Sequence, residues 1–124
     1  MLHFTVKGNF NNTENFFRKS KKLTNKLLLI FDKYGREGVE ALQRFTPKDT
    51  GQTANSWNYE VTTHGIYWTN SRTISGITPL AILIQYGHGT RGGTYIEGID
   101  YINPALKPIF NRIGDDIWKE VEAL

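Results

Sequence analysis

Apolar positions recur every three, four or seven places over the first third of the chain: Phe16, Leu23, Leu27, Ile30, Phe31, Tyr34, Ala41, Leu42 and Phe45. That spacing lays one stripe along a helix. The opposite face carries Arg18, Lys19, Lys21, Lys22 and Lys26. Asn12 or Thr13 supplies the N-cap, and Glu14 suits the first turn. Gly35 and Gly38 each cost a helix up to about 1 kcal/mol relative to alanine, so a bend or break is expected there. Upstream, Phe4 and Val6 alternate with His3, Thr5 and Lys7, which predicts a short strand before the turn residues Gly8-Asn9 and Asn11-Asn12.

Downstream the period changes. Thr46-Pro47-Lys48-Asp49-Thr50-Gly51 ends the helix, because a residue before proline is pushed out of the α region. Trp57, Tyr59 and Val61 then alternate with Asn58, Glu60 and Thr62. A second run, Ile66 to Asn70, follows Thr63-His64-Gly65. The pair predicts a β-hairpin with a three-residue loop. Residues 71–76 read as loop. Pro79 to Tyr86 predicts a short helix capped by Thr78, with Pro79 at its first position and Gly87 at its exit. Five glycines between Gly87 and Gly98 predict an extended loop. Asn103 and Pro104 open a last helix whose stripe is Ile109, Ile113, Ile117, Val121 and Leu124, widened by Phe110 and Trp118. Pro108 places the start of regular helix at or after itself. The expected fold class is α+β: a long N-terminal helix and a C-terminal helix packed on a small antiparallel sheet with a β-hairpin.

Length sharpens this picture. A helix over residues 13–45 would span roughly 50 Å at about 1.5 Å per residue. A compact body of 124 residues is about 35 Å across. The helix should overhang its own domain, and its apolar stripe then needs cover, most simply from another subunit. The same length supports a single domain over 1–124. With 39% hydrophobic and 13% aromatic residues, the chain is globular.

Composition removes whole classes of chemistry. There is no cysteine, so disulfides, thiol nucleophiles and Cys-based metal sites are excluded. His3, His64 and His88 show no ligand spacing, and no metal or cofactor is expected. Ser56, Ser71, His64, His88 and Asp49 contain the residue types of a hydrolase, but neither serine sits in a GxSxG turn. Asp115-Asp116 point about 100° apart on a helix and read as a solvated face. The glycine-rich stretch lacks the lysine and context of a phosphate loop. No apolar run approaches a membrane span, and polar Met1–Asn12 has no signal-peptide core, so the expected default compartment is cytoplasmic.

Charge is unevenly placed. Residues 1–45 carry nine Lys/Arg against four Asp/Glu, residues 46–95 three against two, and residues 96–124 three against six. The net +3 therefore conceals a basic front and an acidic tail. A basic front and an acidic tail can attract each other within one subunit or between neighbours, or stand as two solvated helix faces of opposite sign. The stripe Arg18, Lys19, Lys21, Lys22 and Lys26 is the candidate DNA-facing surface. A small basic nucleic-acid-binding module is the alternative function.

Thr46-Pro47-Lys48-Asp49-Thr50-Gly51 followed by Asn55-Ser56-Trp57 resembles the TPxDTGxLxxS signature of small neck proteins of tailed bacteriophages. The apolar helix ending in Gln85-Tyr86-Gly87-His88-Gly89-Thr90, and then Asn103-Pro104-Ala105-Leu106-Lys107-Pro108, are similar to that family's later motifs in order and spacing. The sequence departs at Thr53, where leucine is commoner, and at the inserted His88-Gly89. The resemblance implies a non-catalytic α+β subunit of the head–tail connector, in a homo-oligomeric ring around the DNA channel. Its implied partners are further copies of itself, the adjacent head-completion and tail proteins, and genomic DNA in passage, without a membrane. Its implied location is the virion neck. The expected contact residues are Thr46, Pro47, Asp49, Thr50 and Gly51, with Gln85, Tyr86, Gly87, His88, Gly89, Thr90 and Arg91.

Overall fold

The computed structural model describes residues 11–48, 51–74, 76 and 78–124. The expected strand around Phe4 and Val6 lies outside the described residues, as do Asp49 and Thr50. Helix α1 (Asn11–Phe45) is one unbroken rod of 35 residues, about 52 Å long. Helix α3 (Ile102–Glu122) runs antiparallel beside it. The pairs joining them show this direction: Lys26 with Glu120 at 3.1 Å, Tyr34 with Asp116, and Glu37 with Arg112 at 3.2 Å. Strands β1 (Trp57–Thr62) and β2 (Gly65–Asn70) form an antiparallel hairpin registered from Trp57↔Asn70 to Thr62↔Gly65. Its loop is therefore two residues, Thr63 and His64, not three. Gly65 takes a positive φ of 146° at the re-entry, which relieves the turn without a third loop residue.

The glycines of α1 do not break it. The hairpin lays Tyr59 against Gly35 and Trp68 against Gly38, so closely that a Cβ at either position would run into the ring. Tyr59 Oη donates to Asp32 Oδ1 at 2.8 Å, and Trp68 Nε1 donates to the Gly35 carbonyl at 3.0 Å. Two helical glycines cost about 2 kcal/mol together. Each seated aromatic buries on the order of 100–200 Å² at about 25 cal/mol per Å², which outweighs that cost. The expected bend is thus replaced by a seat.

Strands β3 (Thr73–Ile74) and β4 (Thr78–Pro79) make a short antiparallel pair where the sequence suggested loop. Thr78 is engaged there rather than as a cap. Pro79 is the N-cap of α2 (Leu80–Tyr86), with extended backbone. Gly87 ends α2 at φ 83°, as expected. The glycine-rich stretch is also ordered: β5 (Gly87–Gly89) pairs with β6 (Tyr95–Glu97). Its tip is closed by Thr90 N–H donating to the Thr94 carbonyl at 2.8 Å and by the two threonine hydroxyls 2.6 Å apart. Gly98 passes against the Gln85 and Tyr86 backbone, where no Cβ would fit. Helix α3 begins before both prolines, and Pro108 sits inside it, flanked by buried Leu106 and Ile109. Their burial offsets the one donor that Pro108 lacks.

The core gathers at the C-terminal third of α1. Tyr34, Ala41, Leu42, Trp57, Ala81, Tyr101, Ala105, Leu106 and Ile109 are buried, and Leu42 is wholly so. Toward the other end the stripes open outward: Phe16, Phe17, Trp118, Val121 and Leu124 are exposed, as is Phe45 at the terminus of α1. The end of α3 lies beside Lys19 to Lys26, and α1 continues about two turns past it.

Replacing Gly38 by alanine should lower stability by about 1–3 kcal/mol despite the better helix propensity, because the indole must move. Gly114→Ala, on α3 where a Cβ meets nothing, should raise stability by up to about 1 kcal/mol. Urea midpoints of the two variants check the contrast, and equal signs would show that packing at Gly38 is not limiting.

Candidate interaction surface

Residues 46–51 do not form a simple exposed patch. Thr46 is only 2% exposed. Its hydroxyl turns back to the Leu42 carbonyl and accepts the Trp57 indole N–H at 2.9 Å. The first residue of the TPxDTG segment therefore bolts the end of α1 to the start of the hairpin. Pro47 is half-buried, Lys48 is exposed, and Gly51 takes φ 80° while its carbonyl accepts Asn55 N–H at 3.0 Å. Thr53, at the position favouring leucine in the resembled signature, is buried as leucine would be.

Gln85 is likewise internal, at 7% exposure. Its Oε1 accepts the backbone N–H of Tyr101 at 3.0 Å and of Ile102 at 2.9 Å, and its Nε2 donates to Asp100 at 2.8 Å. One side chain from α2 thus caps α3, supplying the acceptor that a helix start requires. Tyr101 Oη donates to the Ala81 carbonyl at 2.7 Å, and burial pushes its phenol up to about 12. The Thr46 hydroxyl lies close enough to oppose that rise. Thr46, Trp57, Ala81, Gln85 and Tyr101 so form one buried junction. For Thr46 and Gln85 the expected role changes from contact to support, because their polar atoms are engaged within the chain.

The surface itself is what this junction holds out. Tyr86, Gly89 and Arg91 are exposed, and Gly87, His88 and Thr90 are half-buried along the β5–β6 arm. His88 Nδ1 is buried with no hydrogen-bond partner among the described residues. On α1, Arg18, Lys19, Lys21, Lys22 and Lys26 are all exposed. Lys26 is paired with Glu120, while Lys19, Lys21 and Lys22 make no ion pair among the described residues. The basic stripe therefore survives folding as a stripe.

The other candidates separate. Ser56 Oγ donates to the Gln52 carbonyl at 2.6 Å, and His64 stands at the tip of the β1–β2 hairpin. His88 belongs to the other arm. No group of three His, Asp or Glu residues converges among the described residues. Asp116 departs from the expected solvated face. It is half-buried and accepts the Tyr34 hydroxyl, and that bond, with burial, holds the Tyr34 phenol at about 12. The signal available in the sequence was phase: Asp116 shares the face of Ile109 and Ile113, whereas Asp115 does not. No helix among the described residues is long and apolar enough to cross a membrane.

Compared with protein-family models, curated proteins and solved structures, the chain matches none of the three.

Two predictions follow from the junction and its tyrosines. Gln85→Leu should cost about 2–3 kcal/mol by leaving the start of α3 uncapped, and Thr46→Val about 1–3 kcal/mol by orphaning the Trp57 indole N–H, both measured by chemical denaturation. A phenol held above its usual value of 10 favours the neutral form in the fold. Its contribution is intact below pH 10 and is lost as pH rises from 10 to 12. Phenolate absorbance should show a late-ionising component that Tyr34→Phe reduces, and the same change should flatten the fall in stability over that window.

Proposed function

We propose that the chain is a structural subunit of a tailed bacteriophage or prophage, built into the neck where the tail joins the head. In this reading, copies form a ring around the DNA channel and bind the head-completion and tail proteins on either side. The observation that carries it is that segments of the three ordered motifs share one core: Thr46 bonds to Trp57, Gln85 caps the start of α3, and Ala105 and Leu106 lie in the same buried cluster as Trp57 and Ala81. Segments far apart in sequence that resemble the motifs of the neck family act as the joints of a single fold. The role is structural rather than catalytic. What the joints carry outward are contact surfaces: a projecting arm, a basic helix face and an overhanging end.

A basic face suits passage of DNA without sequence reading. Phosphate contacts by lysines attract a duplex electrostatically and carry no base information. Arg18, Lys19, Lys21, Lys22 and Lys26 are placed for that role if this face lines the channel.

Deleting the gene from its parent phage tests the reading. Electron microscopy should show filled heads and free tails in place of joined particles, with infectivity lost. Normal tailed, infectious particles would sink the proposal.

A further inference from the structure

The β5–β6 arm is built to be enclosed. Two three-residue strands are marginal on their own. Tyr95 is 63% exposed and Ile96 52%, although neighbours on a strand point to opposite faces. Ile99 and Tyr86 beside the arm are exposed as well. An apolar strand uncovered on both faces asks for a receptor.

The chain carries a fitting receptor at its other end. Between α1 and the end of α3 lies a cleft of about 220 Å³, floored by Leu23, Ala123 and Leu124 and rimmed by Lys19 and Lys22, with the Lys26–Glu120 ion pair neutralised in its wall. Strand β6 reads Tyr95-Ile96-Glu97, an apolar pair followed by an exposed acid. Ile96 matches the floor, and Glu97 matches the two lysines that have no ion pair among the described residues. The arm cannot serve its own cleft. Its root is tied to Tyr101 at the C-terminal end of α1, about 23 residues or 35 Å along the helix from Lys22 and Leu23. The arm reaches about 15 Å.

Resting on the ring reading, we infer that the Tyr95-Ile96-Glu97 strand of one copy seats in the Lys19–Leu124 cleft of the next, Ile96 facing Leu23 and Leu124, and Glu97, on the strand's outer face, met by the long exposed side chains of Lys19 and Lys22 folding over it. The contact is heterologous, joining unlike surfaces of identical chains, and repeats from copy to copy until it closes. The partner is a second copy of this chain because both halves of the contact stand on it, too far apart to meet.

The absence of native cysteine makes a clean test. Ile96→Cys and Leu124→Cys both alter exposed side chains. Mixed at high concentration and oxidised, they should give a covalent heterodimer at least tenfold above either homodimer, and a chain with both changes should give a ladder. Glu97→Lys should cut the heterodimer about tenfold, and Lys19→Glu with Lys22→Glu in the mate should restore it. Equal or greater Ile96→Cys homodimer would mean arm-to-arm pairing and would overturn the inference. If light scattering finds the wild-type chain oligomeric but the mixture stays uncrosslinked, this seat is wrong and the ring stands. A chain that is monomeric at every concentration and uncrosslinked would overturn both. Cross-links from a chain dispensable for the particle would keep the seat and remove the neck reading.

Discussion

Straightness of α1 is the constraint on which the rest depends, and it rests on two glycines that receive two aromatic rings. Tyr59 and Trp68 lie where side chains at Gly35 and Gly38 would otherwise stand, and each ring also donates a hydrogen bond to the helix. The hairpin is held along the helix by rings and bonds together, so it cannot slide by a turn without losing both. With the hairpin clamped on one side and α3 on another, a helix with two poor formers remains a rod. The rod fixes the distance between the ends of the molecule.

The C-terminal end of that rod is the mechanical joint. Thr46 satisfies the Trp57 indole, Tyr101 closes on Ala81, and Gln85 caps α3. Each buried polar atom there has a partner contributed by a distant segment, so the joint forms only when all segments are docked. This accounts for the polar residues buried at the joint. Thr46 and Gln85 are costly to bury alone, and each is needed to satisfy another element's donor. Tyr34 and Asp116 repeat the device midway along the helix pair, where Arg112 and Glu37 add an ion pair.

What was legible in the sequence is what depends on local period. The stripes of α1 and α3, the alternation of the hairpin and the exit at Gly87 are all written in adjacent residues. What was not legible depends on partners far along the chain. Gly35 and Gly38 read as breaks because propensity charges glycine locally, while the rings that need the space lie more than 20 residues away. Gln85 read as a contact residue because the N–H groups that donate to it, of Tyr101 and Ile102, stand at the start of another helix. The stretch from Gly87 to Gly98 read as loop because its glycines suggest freedom. Two of them serve close backbone crossings that lock a hairpin instead. Thr78 was a plausible cap until β3 offered it a strand partner.

The charge asymmetry takes its meaning from the same rod. Within one copy, the basic front and acidic tail meet at Lys26–Glu120, and Arg112–Glu37 adds a pair of the reverse sense, so both help align α1 with α3. These pairs are exposed and worth little energy each. Their value is in direction, since antiparallel alignment places opposite signs together and parallel alignment would not. The remaining lysines lie at the overhanging end, and Glu97 lies on the arm at the opposite end. A stiff subunit cannot bring its two unlike ends together within one copy.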